Sequence, residues 1–284
     1  MKQRLNYGAL PEEYSSRDNA AIVIIPVAYD GTSTWNRGSA NGPEAIIEAS
    51  ANMELYDIET DSEVYKKGIF TDTSVEDLSL PEDVVETVTN MVQHHIERSK
   101  FVVVVGGEHS VSIGSIKAHA ACYEDVTVLQ LDAHSDLRDE YNRSKYNHAC
   151  VMARAKELCP IVQVGIRSMD YSEKQFMNEN NTFFAKDIYN KNGWIENVIS
   201  RLSEKVYITI DLDVFDPSIM PATGTPEPGG LLWYDVLQLL RPVFKKRGVV
   251  GFDVTELCPD PRNKAPDFLA AKLIYKLLSH KFGD

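Results

Sequence analysis

Six apolar, β-branched runs recur along this chain: "AIVIIPV" at 21–27, "FVVVVGG" at 101–107, "VTVLQLD" at 126–132, "IVQVGI" at 161–166, "VYITIDLD" at 206–213 and "GVVGFDV" at 248–254. They are continuous rather than alternating, which predicts strands covered on both faces, as in a parallel sheet. Segments able to form helices lie between and beyond them, at 43–56, 81–99, 110–122, 148–157, 193–204, 233–246 and 265–281. Strand–helix alternation over the whole length predicts a three-layer α/β/α fold with a central, mostly parallel sheet. No repeat, low-complexity tract or linker interrupts it, so residues 1–284 are read as one domain.

The balance of charges narrows the choice of partner. A formal net charge of −13 argues against nucleic acid, whose phosphates require a concentrated basic surface. It is compatible with a small cationic substrate. No segment approaches the roughly twenty apolar residues of a membrane span. The segment "MKQRLNYGALPEEYSSRD" lacks the apolar core of a signal peptide. Both features predict a cytoplasmic protein with no membrane partner. Cys122, Cys150, Cys159 and Cys258 show no CxxC spacing, so reduced, mostly buried thiols are expected rather than disulfides or a zinc site.

In open α/β sheets chemistry collects beyond the carboxyl ends of the strands, and the polar clusters of this chain fall there. "FVVVV" runs into Gly106-Gly107-Glu108-His109, and "VTVLQL" into Asp132, His134 and Asp136. "VYITI" runs into Asp211 and Asp213, and "VVGFDV" into Glu256. Side chains at i, i+2 and i+4 of an extended chain share a side, so Asp132, His134 and Asp136 converge if strand geometry persists. Any one of them alone reads as a polar strand end with a helix cap. Four carboxylates packed together repel one another unless cations neutralise them. Oxygen-rich coordination with a minority of imidazole suits manganese or magnesium. Six ligands exceed what one ion with an open substrate position needs, and they suffice for two ions roughly 3.5–4 Å apart.

These residues carry a resemblance. "GGEHSVSIG" (106–114), "DAHSD" (132–136) and "DLDVFDP…PATGTPEPGG" (211–230) resemble the three signature blocks of the ureohydrolase family, which includes arginase, agmatinase and guanidino-acid hydrolases. "YDGTSTWNRGSANGPEAIIEAS" (29–50) resembles an agmatinase-type N-terminal block, and "QVGIRS" (163–168) and "FDVTELCP" (252–259) also fit. The resemblance implies an arginase-like fold and two Mn²⁺ ions with a hydroxide between them. It also implies hydrolysis of a guanidinium to urea and an amine, and a homo-oligomer, trimeric or hexameric. On it, Asp132 and Asp211 bridge the metals, His109 and Asp136 complete one site, and His134 and Asp213 the other. Asp136 also orients the hydroxide. His148, in "YNHACVM", matches the rim histidine assigned to proton transfer, and Glu256 matches the carboxylate that grips the guanidinium. Thr225 stands where the family places a hydroxyl close to substrate. Asp253 is left outside the metal set, as a supporting or structural acid. His94, His95, His119 and His280 read as exposed helix residues.

Substrate choice should lie in the N-terminal block and the loop "LRDEYNRSKYN" (137–147). The chain carries "KYNHA" where arginase-type enzymes commonly have "SGNLHG". That departure favours agmatine, a cationic guanidine without an α-carboxylate, hydrolysed to putrescine. Arg143 and Lys145 are the cations that could instead pair with the carboxylate of arginine. Arginase or guanidino-acid hydrolase activity is the alternative within the family. A one-zinc deacetylase would need a paired-histidine set that is not seen. A non-catalytic polyamine-binding paralogue is the alternative from another class.

Overall fold

A strand buried on both faces must send successive side chains into two different cores, and the apolar runs do so. In the computed structural model, which describes residues 6–189 and 192–283, they form β1 (Ile22–Val27), β3 (Phe101–Gly106), β4 (Val126–Leu131), β5 (Ile161–Ile166), β7 (Lys205–Asp211) and β8 (Gly248–Thr255). Two short strands, β2 (Ile69–Thr71) and β6 (Thr182–Phe184), close the edges. Among the described residues these make one eight-stranded sheet, ordered β2-β1-β3-β8-β7-β4-β5-β6, with every pairing parallel. Residues 1–5 of the segment read for a signal peptide lie outside the described residues.

Helices cover both faces. Ile22 and Ile24 of β1 join a core with the helices Gly42–Ser50, Trp194–Arg201, Trp233–Lys246 and Ala265–Phe282. Val23 and Ile25 of the same strand point the other way, toward the helices Pro81–Ile96 and Ser112–Cys122. Proline at the first turn starts three of these helices, at Pro43, Pro81 and Pro266, where its missing N–H costs nothing. No helix among the described residues is long and apolar enough to cross a membrane.

Three expectations need correction. The helix expected over 43–56 stops at Ser50, and the one over 148–157 begins as a 3-10 turn, His148–Cys150, before Val151–Lys156. His95 and His119 are 3% and 1% exposed, because their helices pack face to face over the sheet and bury the sides that carry them. His95 bonds Asp72 (2.7 Å). His119 Nδ1 donates to the Ser115 carbonyl (2.8 Å), and its ring fits only because residue 251 is glycine: a Cβ there would lie 2.2 Å from His119 Nε2. His280 is half-buried, while His94 is exposed. All four cysteines are free; Cys150 and Cys258 are buried and Cys122 is exposed.

Candidate active site

The sheet's register builds the site. Leu131 pairs Ile210, and Ile210 pairs Val254, so the next residues, Asp132, Asp211 and Thr255, emerge side by side from the centre of the sheet. On the far side of β8, Glu256 donates its N–H to the Gly107 carbonyl (2.7 Å), which sets His109 on the same rim. Gly107 permits this: a Cβ there would lie 2.1 Å from the Tyr29 carbonyl oxygen.

Asp132, His134 and Asp136 do reach one place, but not by continuing a pleat. A fully extended i to i+4 step spans roughly 13 Å, too far to serve one centre. The strand ends at Leu131 and the chain bends at Ala133; His134 bridges to Ser168, and then Asp136 turns into the left-handed region at φ 52°. Glu256 does the same at φ 68°. Such backbone is costly for non-glycine residues and persists where surrounding contacts enforce it.

Two groups of side chains could each hold a cation: His109 with Asp132 and Asp211, and His134 with Asp132 and Asp213. Asp132 belongs to both. Its Oδ2 lies 3.1 Å from His109 Nδ1 and its Oδ1 3.7 Å from His134 Nδ1. Asp136 approaches His109 Nδ1 to 2.9 Å and Asp213 approaches His134 Nδ1 to 2.8 Å. His109 carries a further sign of ligand chemistry. Its Nε2 meets the Thr209 hydroxyl (2.9 Å), whose own proton goes to Asp253 (2.7 Å). Thr209 must therefore accept, which fixes a proton on Nε2 and leaves Nδ1 aimed at three carboxylates, of which Asp132 and Asp136 outweigh burial and raise the ring's pKa well above the usual histidine value. Buried Nδ1 makes no hydrogen bond. A divalent cation is what such an atom fits. Asp253 is thus the carboxylate that orients His109, and Tyr207 and Thr209 hold its two oxygens.

The electrostatics agree. Burial, reinforced by Asp132, pushes Asp136 up to about 7, and burial together with Glu108 pushes Glu256 up to about 8. Burial and the neighbouring aspartates raise Asp211 well above the carboxylate range. Burial would lower His134, but Asp213 and Asp132 outweigh it and carry it to about 12. The protein alone holds more negative charge here than it can neutralise, and binding cations removes the conflict.

These groups line a cavity of about 310 Å³ that opens past Trp35, Tyr141, His148 and Thr225. Glu256 Oε1 accepts the His109 N–H (2.7 Å). Burial, with the two site histidines, lowers His148 to about 4, so its ring is neutral near pH 7. The exposed Thr225 reaches the cavity wall. Arg143 and Lys145 do not line it: both are exposed, and Lys145 sits 3.5 Å from Asp139. The cation at the mouth is Arg138, stacked 4.4 Å above Tyr141 and 3.9 Å from both Asp170 and Glu173. It follows directly on "DAHSDL", and nothing in its sequence context separates it from its basic neighbours. Arg167 was also missed. It fastens the far wall through the carbonyls of Asp213, Glu227 and Pro228.

The family model for the arginase family matches residues 20–279. The chain belongs to the arginase family. Within it, the chain is 38% identical over 280 residues to the N(1)-aminopropylagmatine ureohydrolase of Synechocystis sp., covering 95% of this chain and 92% of that protein. It is 33% identical to the agmatinase of Pyrococcus horikoshii, covering 92% of each. The agmatine ureohydrolase structure from Thermoplasma volcanium superposes with a TM-score of 0.88 at 33% identity, over 99% of this chain and 95% of that one. The arginase-family fold and the resemblance read from the three signature blocks are therefore established.

Proposed function

We propose that this chain hydrolyses the guanidinium of a cationic aliphatic guanidine that lacks a carboxylate, agmatine being the simplest, to urea and the corresponding amine. The observation that carries the reading is the pair of Asp/His groups sharing Asp132 at the floor of a cavity walled by Glu256. Two divalent ions, Mn²⁺ on our reading, would be held by His109, Asp132, Asp136, Asp211, His134 and Asp213, and would supply Lewis acidity and a water deprotonated near neutral pH. Glu256 receives guanidinium N–H groups, a planar donor pair that suits a carboxylate. Asp136 directs the attacking water, and Thr225 contacts substrate from the cavity wall. Water adds at the guanidinium carbon, the bond to the alkyl nitrogen breaks, and His148 takes up a proton released by the attacking water and passes it to the leaving amine. We place this enzyme in the cytoplasm as a homo-oligomer.

The tail decides among substrates, because the guanidinium end is common to all. Arginine brings a carboxylate to a mouth whose one cation among the described residues, Arg138, is already shared by Asp170 and Glu173. Leaving that carboxylate unpaired on burial costs several kcal/mol, on the order of a hundredfold or more in kcat/KM. N1-aminopropylagmatine is the second reading, supported by the name of the Synechocystis relative and by the acidic mouth. Urea release from agmatine, N1-aminopropylagmatine, arginine and guanidinobutyrate at matched Mn²⁺ and pH is the test. The first two should exceed arginine by about a hundredfold. A preference for arginine that Arg138→Ala abolishes would overturn the assignment.

A further inference from the structure

Glu108 is fully buried, takes no part in either cation group, and yet collects four hydrogen bonds. Its Oε1 accepts from the Thr32 hydroxyl (2.6 Å) and Ser110 (2.5 Å), and its Oε2 from the Thr32 N–H (2.8 Å) and Ser33 (3.1 Å). The Thr32 hydroxyl proton is therefore committed to Glu108. Its oxygen can then only accept, and two His148 atoms reach it: the backbone N at 3.0 Å and the ring Nδ1 at 3.1 Å.

We propose that Thr32, oriented by Glu108, is a positioning residue for His148: it fixes the ring proton on Nδ1 and keeps Nε2 as the bare, proton-accepting nitrogen at the cavity. The arrangement parallels that at a second site histidine, where Asp253 acts through Thr209 on His109. In both, a hydroxyl with its proton already spent transmits the preference of a buried carboxylate to an imidazole, so the tautomer is set before any substrate arrives. The difference lies in the chain's route. Thr209 is next to its carboxylate across the β7–β8 pair, whereas Thr32 comes from a loop 76 residues from Glu108 and 116 from His148. One hydroxyl thus ties three segments, and a methyl-for-hydroxyl exchange would keep the shape and remove the acceptor.

The inference rests on the ureohydrolase reading only for its kinetic arm. The spectroscopic arm uses ¹⁵N-histidine protein loaded with Mg²⁺, whose ion does not broaden signals, with His148 identified by comparison with His148→Asn. Wild-type His148 should show a protonated Nδ1 and a bare Nε2, and Thr32→Val should move the proton partly to Nε2. In turnover of the substrate that the panel above selects, Thr32→Val should lower kcat roughly 10–100-fold, a usual effect of losing such an orienting contact, with KM and metal content held. Thr32→Ser should restore most of it. A wild-type Nε2–H tautomer, or a Thr32→Val enzyme with unchanged kcat, would overturn the proposal. Should no guanidine be hydrolysed, the tautomer still decides this inference, while the ureohydrolase reading falls separately.

Discussion

Two of the places where this molecule buries carboxylates treat them in opposite ways. Beneath the C-terminal helix, Asp57 is buried against Lys276 at 2.6 Å and also accepts the Glu59 and Thr60 N–H groups. Burial would raise its pKa, but the ammonium and these donors win and hold it below the usual range. At the carboxyl end of the sheet, Asp136, Asp211 and Glu256 are raised instead, first by burial and then by the acids around them. One charge is balanced inside the chain, and the other set is left for something from outside to balance. A buried charge without an internal partner marks a place where the protein expects a guest.

Removing that guest is the sharpest way to break the contrast. Dialysis against a chelator should reduce urea release by about a thousandfold or more, as expected where a metal generates the nucleophile, and Mn²⁺ should restore it. Asp132→Asn should not be rescued by Mn²⁺. Full activity after chelation would show that the acids are balanced internally after all. Added cation should also raise the melting temperature, since it binds only the folded arrangement.

The internally balanced pair should answer in stability rather than in activity. Lys276→Met strands Asp57 without its counter-ion, and breaking a buried pair from one side costs about 3–5 kcal/mol. Chemical denaturation should show the loss, while kcat per folded molecule stays at the wild-type value. An equal loss of kcat would mean the two regions are coupled.

His119 supplies a third, smaller effect, since it solves burial by giving up its charge. Burial pushes it down to about 4, so the unfolded chain binds its proton more readily than the folded one. Its contribution is complete above the ordinary histidine value near 6.5 and is lost as pH falls from there toward 4, by up to about 3 kcal/mol. His119→Gln should flatten the stability profile over that window. A profile identical to wild type would place the acid sensitivity elsewhere, for instance in His95.

The sequence made the central strands legible because residues buried on both faces leave unbroken apolar runs. It did not reveal β2 or β6, whose three residues are too few for any period and whose outer edges need no apolar cover. The grouping of Asp132, His134, Asp211 and Asp213 was readable from strand ends. The left-handed turn that delivers Asp136 was not, since no local residue announces it. Histidine burial was misread at 95 and 119 because packing of one helix on another is not written in either helix alone. Thr32 escaped for a related reason: its importance lies in two partners remote in sequence. Glu108 did leave a signal, an acid at the end of a wholly apolar run.

The order of the sheet has a consequence for how the protein is made. β8 lies between β3 and β7, so a strand made after all the others described joins the first half of the sheet to the rest. Until residues 248–255 emerge, β3 and β7 present open edges to the crowded space around them, and such edges recruit other chains. His109 stands on one side of that gap and Asp211 on the other. No cation can find both until β8 is in place between β3 and β7, so metal uptake follows the insertion of that strand.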